Sequence, residues 1–131
     1  MTYVIGAPIH TSHSPRGHGS KVYAAFDVAN RRLVCLKIHW HSRSTHLELD
    51  IYRTLHKAKV HHVATPLAGG FLGEETLSQD HFPTKTRPNK RKLHCFVTKE
   101  LGRRLSTFEN EKVLFDCIRD ALKGMFSSFS R

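Results

Sequence analysis

Three residue groups in this sequence have the type and spacing to do chemistry. The first is Gly17-His18-Gly19-Ser20-Lys21-Val22, which leads into the apolar segment KVYAAFDV. Glycines at a bend between strands let backbone N–H groups approach phosphate oxygens. The segment lacks the G-x-x-x-x-G-K-[ST] pattern before a helix, so it is no Walker loop, and an ordinary hairpin loop gives the same composition. The second is Lys37 within LVCLKIHW. In a strand it shares one face with Leu33, Cys35 and His39, whereas Val34, Leu36, Ile38 and Trp40 form the other. A lysine so placed snorkels to water or meets an anion. The third is Glu48, three residues before Ile51 and four before Tyr52. That position borders a helical apolar stripe, where a carboxylate either pairs with Lys37 or stays solvated like Asp50.

The elements that must position these residues follow from periodicity. Tyr3–Ile9 reads as a short strand, and His10–Lys21, rich in Ser, Gly and Pro, reads as loop. Lys21–Val28 and Leu33–Trp40 are strands joined by a short polar turn, Ala29–Arg32, which suggests an antiparallel hairpin. Leu47, Ile51 and Leu55 then recur at i, i+4, i+8 with Tyr52 beside them, the stripe of an amphipathic helix that Ser44 or Thr45 would cap. Val60–Leu72 is strand-like at its ends and interrupted by Pro66 and Gly69-Gly70. Residues 73–92 read as a long polar, basic loop inserted between strands. Leu93–Glu100 is a further strand, and Leu101–Leu105 a turn. A second amphipathic helix starts near Asn110, with Leu114, Ile118 and Leu122 at i, i+4, i+8 and Phe115 and Phe126 at its flanks. Either a Ser106-x-x-Glu109 capping box or Asn110 would begin it. Strands and helices do not alternate as βαβαβ, which argues against a Rossmann-type sheet.

Composition narrows the function classes. The 131 residues fit one domain. Lys+Arg number 21 against Asp+Glu 11, a formal charge of +10 that favours anionic partners. The densest positive run is Lys85–Lys92, without an acid, and it suggests nucleic-acid contact through phosphates or a nuclear-import signal. It lacks the interleaved aromatics that stack single strands. No apolar run reaches the length of a membrane span, and MTYVIGAPIH has no secretory-signal pattern, so an intracellular protein, cytoplasmic or nuclear, is expected. Cys35, Cys95 and Cys117 show no C-x-x-C spacing and read as reduced, Cys35 and Cys95 lying in apolar runs. The 11 histidines offer no window with a closed set of metal ligands.

Taken in order, a glycine loop between strands, a strand lysine and a helix glutamate resemble the small lobe of a protein kinase. The details are similar to the fungal-type protein kinase family. GHGSKV resembles its shortened glycine loop, VCLKIHW its lysine strand, STHLELDIYRTLH its glutamate helix, ELGRRLSTF its hinge and EKVLFDCIRDAL the helix that follows. The resemblance spans Arg16 to Leu122. It implies an α+β fold: a kinase-like small lobe (16–105) made of an antiparallel five-stranded sheet with one packed helix, then a helix from the start of the large lobe (106–131). It also implies ATP as ligand. Gly17, Gly19 and Val22 would line the site, with Cys35 in the place of the usual alanine. Lys37 would hold phosphates and Glu48 would orient Lys37. The backbone from Glu100 to Gly102 would meet the adenine. H-R-D- and D-F-G-type motifs, which supply the catalytic and magnesium-binding aspartates, do not occur in the chain. A truncated domain without a magnesium site, unable to transfer phosphate alone, is therefore expected. Two other expectations stand beside it: a basic binding module acting through Lys85–Lys92, and a chain that folds poorly because Leu114, Ile118 and Leu122 lie exposed.

Overall fold

The structure, a computed structural model, describes residues 2–12, 19–42, 46–75 and 91–129. The chain runs β1 (Tyr3–Ile5), β2 (His10–Thr11), β3 (Lys21–Asp27), β4 (Arg32–Ser42), α1 (Glu48–Lys57), β5 (Pro66–Glu75), β6 (Arg91–Thr98), a 3₁₀ turn (Leu105–Thr107) and α2 (Glu111–Phe129). The fold is α+β. One antiparallel sheet has the order β1-β3-β4-β6-β5, and β2 also pairs with β3, so the strands fill five positions. The expected strand Tyr3–Ile9 is shorter, ending at Ile5, and β2 falls at the start of the expected loop His10–Lys21. Pro8 has no N–H to give a ladder, and the chain breaks there before Ile9 N–H bonds Val22 O at 2.7 Å.

β3 and β4 form the expected hairpin, with Asp27 opposite Arg32. Asn30 holds the turn by donating its side-chain amide to Asp27 Oδ2 at 2.8 Å. That bond, with the backbone N–H of Asn30 and the Arg32 guanidinium, keeps the Asp27 carboxyl below its ordinary range despite burial.

The two faces of the sheet differ in kind. On one, Ala25, Val34, Leu36 and Val97 form the buried core, with Tyr3, Tyr23, Ile38, Leu67 and Cys95 packed round it. The other face carries Lys37, His39, His94 and Phe96, and α1 lies against it. Leu49, 1% exposed, is the helix's anchor. Ile51, the centre of the sequence stripe, is exposed instead. The inward side of α1 is set by where β5 and β6 lie, so it runs through Glu48, Leu49 and Tyr52, one position off the Leu47–Ile51–Leu55 row. The helix N-cap is Leu47, without a side-chain bond. The expected caps Ser44 and Thr45 lie outside the described residues.

β5 is continuous where the sequence suggests a break. Pro66 is its first residue, a position on an edge strand that needs no ladder N–H. Gly69 is required by packing: a Cβ there would stand 2.5 Å from Leu49 Cδ2 and 2.8 Å from Phe96 Cβ. The strand therefore uses glycine to admit α1 and not to turn. β5 reaches Glu75 and β6 starts at Arg91, so the expected 73–92 loop is shorter at both ends; residues 76–90 lie outside the described residues.

α1 closes with paired bonds, Lys59 N–H to His56 O at 3.0 Å and Val60 N–H to Leu55 O at 3.1 Å. Lys59 sits at φ +57, the left-handed position usually given to glycine. α2 begins at Asn110, whose Oδ1 accepts from Val113 N–H at 3.0 Å; Ser106 lies in the 3₁₀ turn instead of starting the helix. α2 meets the turn after α1 through Gly124, where a Cβ would come 3.0 Å from His61 O, and through His62 Nε2, 3.9 Å from Asp120. Phe115, Ile118, Leu122 and Phe126 lie on its other side and are exposed. No helix among the described residues is long and apolar enough to cross a membrane.

Candidate functional site

Register places the candidate residues in rows. Directly paired residues of an antiparallel ladder project from the same face. Val22 pairs with Lys37, Lys37 with Phe96, and Phe96 with Gly69, forming one row across β3, β4, β6 and β5. The next row is Ala24, Cys35 and Thr98. Small Gly69 lets α1 settle on this face beside Phe96, and that brings Glu48 to the lysine.

The Lys37 ammonium donates to both Glu48 oxygens, at 2.9 Å to Oε1 and 2.8 Å to Oε2. Their side chains are 26% and 32% exposed, so water and ligands can reach the pair. Tyr52 lies one turn after Glu48 on the same side of α1. Burial, then the Glu48 charge, pushes the Tyr52 phenol above its ordinary range. Its ring lies 6.0 Å from that of Phe96. Glu48 thus receives Lys37 from the sheet, and the ammonium is held over the row rather than left to swing in water.

Sequence reasoning misses Thr98. It is 6% exposed, on the same face as Lys37 and opposite Cys35. Burial dominates at the facing Cys35 and pushes its thiol upward, against the opposing pull of Thr98 and Lys37, so Cys35 stays protonated. Pairing register alone could have found Thr98, and register depends on which strands are neighbours. Tyr52 is legible as the i+4 neighbour of Glu48.

Past Thr98 the chain leaves β6. Lys99 N–H bonds Thr65 O at 2.9 Å. Glu100 accepts from Thr65 N–H at 2.7 Å and from the Thr65 hydroxyl at 2.7 Å. Burial opposes the charge on Glu100, but the Thr65 bonds outweigh it and hold the carboxyl below its ordinary range. The Glu100 side chain is therefore engaged with the start of β5, and Glu100 to Gly102 continues in neither strand nor helix. Arg104 then reaches back to donate to Ile9 O at 2.8 Å.

Not every candidate residue joins this group. Gly17 lies outside the described residues. Gly19, at φ +55, borders Trp40 on the other face of β4. Of Lys85–Lys92 only Arg91 and Lys92 are described, both in β6. The histidines His39, His41 and His94 gather with Phe71 and Phe96, His94 and Phe71 with ring centres 4.9 Å apart. His94 is 1% exposed, and burial, then the neighbouring His41, pushes its pKa down. Among the described residues no three His, Cys, Asp or Glu side chains converge to hold a metal. A cavity of about 230 Å³ beside Leu47 and Ile51 and one of about 360 Å³ beside Arg104 and Phe108 both lie away from Lys37. The lysine stands on an open face that a ligand would have to cover. Comparison with known proteins finds no matching family model, no matching curated protein and no matching solved structure.

Proposed function

We propose that this chain is a nucleotide-binding module similar to the small lobe of a fungal-type protein kinase, with ATP as its ligand. The ion pair between Lys37 and Glu48 carries this reading. Two of the three ammonium donors face carboxylate oxygens and one remains for an anion. A lysine fixed in this way is a phosphate-binding group of defined position, because its rotamer freedom is already restricted before a ligand arrives.

Other features support the same reading. Five antiparallel strand positions with one helix packed after the lysine strand is the arrangement that the resemblance implies. Val22, Ala24, Cys35 and Thr98 offer a small-residue surface beside Lys37 on which a planar base can lie. The segment from Glu100 to Gly102 leaves β6 next to that surface, with Glu100 tied to Thr65 so that its backbone is presented in one place. The chain carries no H-R-D- or D-F-G-type motif. We therefore propose binding without phosphate transfer by this chain alone, and no magnesium site within it.

Isothermal calorimetry with ATP tests the assignment. Wild type is expected to bind, and Lys37→Ala to weaken binding about 10- to 100-fold, the worth of a lost charge-assisted hydrogen bond. No heat with wild type, or equal affinity in the two, would show that Lys37 is not a nucleotide ligand.

A further inference from the structure

Gly19 stands apart from the Lys37 face. It precedes β3 by two residues, and extending the β3–β4 register (Lys21 opposite Ile38) places it opposite Trp40. Its φ is +55, a conformation that side chains disfavour. A Cβ built on it would stand 3.0 Å from Trp40 Cδ1 and 3.7 Å from Nε1. Two independent constraints therefore ask for glycine: backbone conformation and the indole. The ring occupies the room that a side chain at position 19 would take, a cross-strand aromatic covering a glycine. On the other side the chain is fastened by Ser12 N–H to Ser20 O at 2.8 Å.

We infer that Trp40 is a positioning residue: its indole seats Gly19, fixes where the chain re-enters the sheet ahead of Val22, and so sets affinity for the nucleotide, an inference that rests on the ATP-binding function proposed above. Trp40 is three positions from Lys37 and projects from the opposite face of β4. It acts through the backbone of Gly19 and does not touch the ligand. It is also the chain's single tryptophan, so the seat reports on itself.

Two measurements separate the seat from the nucleotide. Without ligand, Gly19→Ala keeps Trp40 but obstructs the contact. Its near-ultraviolet circular dichroism band and indole emission are expected to differ from wild type. Identical spectra would overturn the seat whatever ATP does. With ATP, Trp40→Ala is expected to raise the Kd about fivefold, whereas Trp40→Phe keeps it within about twofold because a ring still covers the glycine. Equal Kd in wild type and Trp40→Ala would overturn the link to affinity. If Trp40→Ala does not fold, Gly19→Ala carries the same test, with about a fivefold rise in Kd expected and no change overturning it. Absence of ATP heat with wild type overturns the nucleotide function and the affinity link together, while the ligand-free spectra still judge the contact between Gly19 and Trp40.

Discussion

Helices α1 and α2 carry the same apolar spacing in sequence and end in opposite situations. α1 buries Leu49 to 1% exposure against Gly69 and Phe96, and from that seat delivers Glu48 to Lys37. α2 meets the turn after α1 on its Gly124 side, and its Phe115 and Phe126 are 66% and 67% exposed. Apolar periodicity specifies that a helix has a sticky side. It does not specify what covers that side, because the covering surface comes from residues far away in sequence. For α1 that surface is supplied by β5 and β6. The difference also separates function from mere amphipathicity: the helix that docks through its apolar side carries Glu48 to Lys37, whereas α2 docks through Gly124 and Asp120 and leaves its apolar side exposed.

Mutations should divide along the same line. The largest effect is expected from Leu49→Ala, which opens a cavity under α1 and should lower unfolding stability by about 2–5 kcal/mol in denaturant titration. A loss below about 1 kcal/mol would mean that Leu49 does not anchor α1.

Acid should loosen the same region next. His94 lies beneath α1 with its pKa pushed below the ordinary value of 6.5, so the unfolded chain takes up its proton first as pH falls. Stability attributable to neutral His94 is therefore complete above about pH 6.5 and declines below it, as the pH descends toward the lowered folded value. Melting temperatures from pH 7.5 to 5 should fall less steeply in His94→Phe than in wild type. Parallel curves would show that His94 has no part in the acid response.

A smaller, opposite effect is expected at the end of α1. Lys59→Gly relieves the left-handed conformation at φ +57 and should stabilise the chain by about 1 kcal/mol. An unchanged or lower midpoint would indicate that Lys59 has compensating contacts. The smallest effect belongs to α2. Phe115→Ser removes a large but exposed ring and should change stability by less than about 0.5 kcal/mol. A loss comparable to that of Leu49→Ala would erase the contrast between the helices and show that α2 is covered in solution.

Part of the site is legible in the sequence. Lys37 stands out because a charge inside LVCLKIHW needs a reason, and Glu48 because it borders the α1 stripe. Their pairing becomes definite only once α1 is placed, one residue off the row that periodicity indicates. Gly69-Gly70 misleads for a related reason. Glycine marks both turns and close approaches, and only the neighbouring Leu49 and Phe96 side chains tell the two apart. Thr98 carries no local signal at all, since its role depends on lying opposite Cys35 in a register that joins positions far apart in the chain.

The sequence by itself determined the α+β class, the β3–β4 hairpin, both helices and the three chemical groups worth following. These depend on local periodicity, turn residues and the cost of burying a charge, all of which act within a few residues. Tertiary structure alone decided which face of α1 turns inward, why β5 runs through its glycines and which small residues line the Lys37 face. It also decided that Gly19 meets Trp40. Each of these is set by contacts across strands, where the free energy depends on shape and distance between residues that the chain order keeps apart.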